Sequence, residues 1–421
     1  MKYRKILAVA LATTMLVPSA SVLAADTSES TDITLWTYPV GNWGDAATVD
    51  EMIKNFNEVH PEINVSVEYL DYTNGDDQIN TAIEGGQAPD IVLEGPERLV
   101  ANWGAKGLMV DLSDLWTDDA KEAIYDSVEN ACQNNEGVFY EYPLCMTAHT
   151  MAINRDIFEK ADALQYLDEE THTWTTENFV KAVQAVYESG QENVGAVYCS
   201  GQGGDQGTRA LVNNLYGGTF TNEEHTEYTA NSEENVKALE LLKSMDGINF
   251  DASIAGGDEV NLFCNGTLAM AFCWNVSQEK NNVDNLSFDV LPMAFPTESG
   301  DPQLCGGIWG FGVFDNGDEA KIEASKTFID FMANDETQAP ESVKASNYWP
   351  VQDMGNIYEG DELMTEYSSF IQYMGDYYQV VGGWAEARTA WWNMLQQIGS
   401  GTDVNTAVEE FATTANAAAE Q

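Results

Sequence analysis

Between Ala88 and Arg98 the sequence runs Ala-Pro-Asp-Ile-Val-Leu-Glu-Gly-Pro-Glu-Arg. A short apolar run, Ile91 to Leu93, lies between Pro89-Asp90 and Gly95-Pro96. That is the pattern of a buried parallel strand ending in a turn that feeds a helix near Glu97. Upstream, the same alternation appears twice. Ile33-Thr-Leu-Trp-Thr-Tyr38 reads as a first strand, and Val49, Met52, Ile53 and Phe56 recur at helical spacing until Pro61. Ile63, Val65, Val67 and Tyr69 then share one face of a second strand. Turn residues Thr73 to Asp77 lead into a helix carrying Ile79, Ala82 and Ile83, closed by Gly85-Gly86. Such a β-α-β-α-β order predicts a parallel sheet covered by helices, an α/β fold.

In open α/β sheets, solutes bind beyond the carboxyl ends of the strands, which is where Glu94, Glu97 and Arg98 would stand. The structural alternative is that Glu97 favours a helix N-terminus and Arg98 pairs with it on the surface.

A chain of 421 residues, 44% hydrophobic and 11% aromatic, can bury two sizeable cores. It opens with Lys2, Arg4 and Lys5, the apolar run Ile6 to Val17, Pro18 and small residues up to Ala24. This is the pattern of a secretory signal peptide over residues 1–25. The apolar run is too short to span a bilayer comfortably, so the mature protein is expected to be exported, in a periplasm, at the cell surface or secreted. Asp26 stands where a lipidated Cys would be needed, so no lipid anchor is expected.

Formal net charge is −51, and loss of the leading segment makes it more negative. So acidic a surface argues against nucleic acid or an anionic membrane as partner and favours a monomer. Six cysteines, none in a C-x-x-C pair, are even in number, so an oxidising compartment could pair them, but several sit in apolar runs and read as buried free thiols rather than disulfides.

Tyr142 to Asn154 is a strand-like run long enough to pass from one domain to another. Beyond it, Thr173-Trp174-Thr-Thr-Glu177 reads as a capped helix start. Gly201 to Gly207 lacks the Lys and Ser/Thr of a phosphate loop, and the Asp71 to Asp77 cluster fails the spacing of an EF-hand. His60, His149, His172 and His225 show no metal spacing. No cofactor, metal or catalytic residue is expected.

Several short motifs recur in one order. They are Ile33-Thr-Leu-Trp36, Phe56 with Pro61, Gly86-Gln-Ala-Pro-Asp-Ile91, Tyr142-Pro143 with Ile153-Asn-Arg-Asp156, Thr173-Trp174, Tyr216-Gly-Gly218 and Asn265-Gly-Thr-Leu-Ala-Met270. In this the chain resembles the sugar-binding, maltose-binding-protein-like branch of bacterial ABC-transporter extracellular solute-binding proteins. The resemblance implies a two-lobed periplasmic-binding-protein fold (type II-like), its lobes joined by hinge strands and closing on a solute. It places one lobe at residues 31–146 plus 293–345 and the other at 147–292 plus 346–421. It also implies a carbohydrate ligand, an ABC permease as partner, and no enzymatic activity.

Site residues follow one at a time from that resemblance. The family's Trp, acid and Arg segment matches Glu94, Glu97 and Arg98, so an identical glucan specificity is not expected. A hinge-strand Glu is replaced by Thr147. Asp205 resembles the acid before the cleft helix. Trp384, ahead of Arg388, resembles the stacking Trp near the C-terminus, and Trp274 resembles a further cleft aromatic. The first-loop Lys has no counterpart; Tyr38, Asn42 and Trp43 occupy that loop. Such a set suits a neutral polyol, whose C–H face packs on an indole while charged groups bond its hydroxyls. Each Trp could equally be core, Trp309 above all. A secreted glycoside hydrolase and a same-fold receptor for a polyamine or phosphorylated polyol are the competing functions.

Overall fold

Ile33 and Leu35 alternate with polar residues along the first strand and point into a core with Phe56 and Ile91, each at most 1% exposed. The structure is a computed structural model and describes residues 30–72, 74–199, 205–251 and 253–420. The segment read as a signal peptide, and most of the Gly201 to Gly207 loop, lie outside the described residues.

The described strands are β1 (Thr31–Thr37), β2 (Ile63–Tyr69), β3 (Ile91–Glu94), β4 (Tyr142–Ala148), β5 (Thr150–Asn154), β6 (Gly195–Ala196), β7 (Ile248–Asn249), β8 (Met270–Trp274), β9 (Val290–Met293), β10 (Gly306–Val313) and β11 (Trp349–Pro350). They form a six-stranded sheet in the order β11-β4-β10-β3-β1-β2, a three-stranded sheet β8-β5-β9, and the pair β6-β7. As the alternation predicts, β1 pairs in parallel with both β2 and β3. The rest of the large sheet is not parallel, because β10 runs antiparallel to β3 and to β4. It comes back from the second sheet and so enters from the opposite end.

The chain passes from the first sheet to the second at His149, between β4 and β5, and returns between β9 and β10. The edge strand β11 keeps residues 349–350 in the first sheet, although the expected division put them in the second lobe. Close packing at the crossing demands glycine: a Cβ on Gly306 would lie 2.0 Å from the Thr147 carbonyl oxygen.

Helices cover both sheets. The helix Ala46–Val59 starts at Asp45, whose carboxylate accepts the Thr48 amide, and its Phe56 meets Phe328 of the helix Glu319–Asn334 edge-on. In the second half Thr175 caps Thr176–Glu188. The C-terminal pair Trp384–Gly399 and Val404–Ala419 packs beside Asp205–Tyr216 through the Trp391 indole N–H, which donates to Thr208 Oγ1 at 3.0 Å. All six cysteines are buried and free. No helix among the described residues is long and apolar enough to cross a membrane.

Candidate solute-binding site

Strand β3 is fixed at its start by Asp90, whose carboxylate accepts the Thr34 amide at 2.8 Å and the Asn316 side-chain amide at 2.8 Å. At its far end β3 delivers Glu94, and the short helix Pro96–Arg98 delivers Glu97 and Arg98. The expected helix therefore begins with Pro96 in its first turn, and it continues as a wide turn over Leu99–Gly104.

Arg98 is 6% exposed, not a surface group. Its Nε donates to Asp76 at 2.7 Å, and its Nη1 donates to Glu94 at 2.8 Å and Glu97 at 3.4 Å. The guanidinium also lies 5.2 Å from the ring centre of Tyr38 and 5.9 Å from that of Tyr72. Tyr38 closes the group by donating its hydroxyl to Asp76. Burial, with help from Glu97 and Asp76, pushes the Glu94 carboxyl up to about 8 against the pull of Arg98. One Glu94 oxygen and both oxygens of Glu141 are buried without a partner among the described residues. Burial likewise drives Glu141 well above the usual carboxylate range, reinforced by Glu97 and Glu94.

A second group stands on the other half. Asp205, fully buried, opens the helix Asp205–Tyr216 and accepts from Arg209 one turn on. It also accepts Arg388 Nε at 3.0 Å and Nη2 at 2.5 Å. Burial alone would raise the Asp205 carboxyl, but Arg209 and Arg388 together hold it well below the usual range. The Arg209 guanidinium lies 4.9 Å from the Trp384 ring centre, and Trp384 is 6% exposed.

The two groups face each other. Against burial, Arg98 holds the Asp76 carboxyl below its ordinary value, and Arg388 of the second group adds to that pull. Tyr377, in a strap between Ser368 and Gly383, donates its hydroxyl to Glu97 at 2.8 Å. Its neighbour Tyr378 packs edge-on against Trp384, so the strap belongs with the second group. Trp309, expected as core, is only half-buried and stacks on Tyr348 with ring centres 4.7 Å apart.

Thus Tyr38, Glu94, Glu97 and Arg98 are brought together, as are Asp205, Trp384 and Arg388. Four expected residues lie elsewhere. Trp43 is fully buried in the core of the first half, its indole N–H donating to the Ser342 carbonyl at 3.0 Å and its ring edge-on to Phe311, which leaves no face for a solute. Asn42 is exposed on the turn Gly41–Gly44. Thr147 is fully buried in β4 and donates to the Ala148 carbonyl at 3.4 Å. Trp274 is fully buried at the end of β8, bonded at 2.6 Å to the Tyr367 hydroxyl. Asp76, Tyr72, Arg209 and Tyr377 were not singled out in the sequence as site residues. Only Arg209 carries a local signal, being four residues from Asp205 on one helix face.

A model of the bacterial extracellular solute-binding proteins matches residues 41–339, well over half of the chain. The chain belongs to that family. No curated protein matches it. Among solved structures it is similar to a Listeria monocytogenes ABC substrate-binding protein in complex with cycloalternan, at 21% identity and TM-score 0.73, over 92% of this chain and 98% of that one. It is also similar to the cyclic alpha-maltosyl-1,6-maltose binding protein of Arthrobacter globiformis (16% identity, TM-score 0.75, covering 93% and 99%). The GacH receptor of Streptomyces glaucescens, studied with acarbose, matches at 16% identity and TM-score 0.73 over 93% and 99%. At these identities the likeness shows the fold, two-lobed and α/β, of a periplasmic binding protein.

Proposed function

We propose that this solute-binding protein captures an uncharged oligosaccharide between its lobes, outside the cytoplasm, and delivers it unchanged to the permease of an ABC importer. The lobes are read as residues 31–146 plus 293–345 and 147–292 plus 346–421, with 349–350 remaining in the first sheet. One observation carries the reading: Arg98, locked by Asp76, Glu94 and Glu97 beside the stacked Tyr38 and Tyr72 rings, shares Glu97 with Tyr377, whose neighbour Tyr378 packs on Trp384. Charged donors and acceptors held in fixed geometry bond pairs of hydroxyls, and flat aromatic rings accept the C–H face of a pyranose. Closure of two lobes around a bound solute is a hinge motion. The sugar-bound relatives support the same class of ligand.

The test is calorimetric titration with neutral mono- and oligosaccharides, a polyamine and a sugar phosphate, followed by chromatography of the recovered solute. Binding of at least one saccharide, recovered uncut and lost in Arg98→Ala, is expected. Binding confined to the amine or the phosphate ester refutes the sugar assignment, and a shortened product refutes the receptor.

A further inference from the structure

Three consecutive residues of the strap engage three different parts of the molecule. Tyr377 donates its hydroxyl to Glu97 of the first half at 2.8 Å. Tyr378 accepts from Arg209 Nε at 3.4 Å and packs its ring on Trp384 of the second half. Gln379 donates its side-chain amide to the Gly306 carbonyl at 3.1 Å and to Cys305 Sγ at 3.4 Å, where the chain crosses back to the first sheet. All three are buried, Gln379 at 2% exposure.

The rest of the strap is anchored to the second half. Tyr373 donates its hydroxyl to the Thr171 carbonyl at 3.0 Å, Asp376 pairs with His225 at 2.7 Å, and Tyr228 donates its hydroxyl to the Gly382 carbonyl at 2.8 Å. Along the crossing segment, the Leu304 amide donates to the Tyr373 carbonyl at 2.8 Å, and the Gly375 amide donates to the Leu304 carbonyl at 2.9 Å. Among the described residues no backbone bond to that segment follows Gly375. From there Gln379 holds the strap to it through its side chain.

Gly306 begins β10 and lies against Thr147 of β4, so it stands where both strands leave the first sheet. Hinge motion is absorbed at such element ends. Rotation there changes the reach from Tyr377 to Glu97, while Tyr378 stays with Trp384. The bond from Gln379 fixes where the strap sits along the pivot. A slip of about 1 Å would take the Tyr377–Glu97 contact out of hydrogen-bond range. Leucine would fill the same space, so what Gln379 adds is the amide bond.

Granted the solute site between the lobes, we propose that Gln379 is a positioning residue for lobe closure. Tied to Gly306, it holds Tyr377 in register with Glu97 while Tyr378 backs Arg209 and Trp384. A solute seated beside Trp384 and the closing bond to Glu97 are thereby coupled through one short segment. Gln379→Leu keeps the volume and removes the bond. By small-angle scattering, the solute-free variant is expected to have a larger radius of gyration than the unaltered protein. Affinity for the saccharide identified by titration should fall about fivefold, the loss of one neutral hydrogen bond. Combined with Tyr377→Phe, it should open the protein no further and weaken binding no more than Tyr377→Phe alone, because both act through the bond to Glu97. Should Gln379→Leu fail to fold, Gln379→Asn, one methylene shorter, is expected to give the same results. An unchanged solute-free radius, or losses that add in the double variant, overturns the proposal. The scattering needs no solute, so it decides the role of Gln379 even where the sugar assignment fails.

Discussion

Tyr377 and Glu97, 280 positions apart in the chain, are joined by one hydrogen bond of 2.8 Å that crosses from the strap of the second half to the β3 turn of the first. It links the two halves directly at the candidate site, so it acts only when they are together. A hydroxyl bonded to a carboxylate contributes about 1.5–3 kcal/mol. Tyr377→Phe keeps the ring and removes the bond. The free protein is expected to open, with a larger radius of gyration by small-angle scattering, and solute affinity to fall about tenfold, since about 1.4 kcal/mol is one decade. Unchanged scattering and affinity would mean that the bond is incidental to closure.

Asp205 is fully buried and its carboxylate accepts from two arginines, Arg209 and Arg388. Asp205→Asn keeps the shape but leaves Arg209 and Arg388 side by side without a countercharge. Removing one partner of a buried ion pair costs about 3–5 kcal/mol. A loss of that size in urea unfolding is expected for Asp205→Asn, and a smaller one for Arg388→Ala, because Arg388 is the more exposed of the two arginines at 11% against 0%. A loss for Arg388→Ala as large as that for Asp205→Asn would show that Arg388, despite its greater exposure, stabilises the group as much as the anion does.

The tryptophans divide by environment. Trp43 has both its N–H and its faces occupied within the core, whereas half-buried Trp309 presents a ring already stacked on Tyr348. Trp43→Ala is expected to lower stability by about 3–5 kcal/mol while the folded fraction binds solute normally. Trp309→Ala should do the reverse, weakening binding with a modest change in melting temperature. A Trp43 variant that folds well and binds poorly would move that residue into the site.

This division also marks what was legible in the sequence. Periodicity finds the elements, because Ile91 to Leu93 or Val49 to Phe56 carry their burial in their own spacing. Caps such as Thr175 are equally local. The carriers of the candidate site divide in the same way. Glu94, Glu97 and Arg98 stand within one turn of β3, and the rule that solutes meet strand ends points to them. Asp76 and Tyr377 reach Arg98 and Glu97 only through the fold, from 22 and 280 positions away, and no local pattern encodes that. Indoles misled for a related reason: Trp43 and Trp274 satisfy their N–H groups on Ser342 and Tyr367, partners that composition does not reveal. The direction of β10 was also hidden, since it depends on where the chain returns from the second sheet.

Fully buried Glu259 and half-buried His149 play no part in the proposed solute contacts and set opposite pH limits on stability. Glu259 is fully buried and accepts the amides of Phe272 at 2.7 Å and Cys273 at 3.0 Å, yet burial pushes its carboxyl up from 4.5 to about 8. The folded chain thus keeps a proton that the unfolded chain has released, and stability falls as pH rises from 4.5 to about 8. Glu94, raised to about 8 in the same way, adds to that slope. His149, at the crossing between the sheets, is held down from 6.5 to about 4 by burial and by Arg209. There the unfolded chain binds the extra proton, so stability falls as pH drops from 6.5 to about 4. Melting temperature is therefore expected to peak in mildly acid solution. Glu259→Gln should flatten the alkaline side of the profile and leave the acid side alone, and His149→Phe should do the converse. Profiles of both variants running parallel to that of the unaltered protein from acid to alkaline pH would show that neither group titrates as its burial dictates.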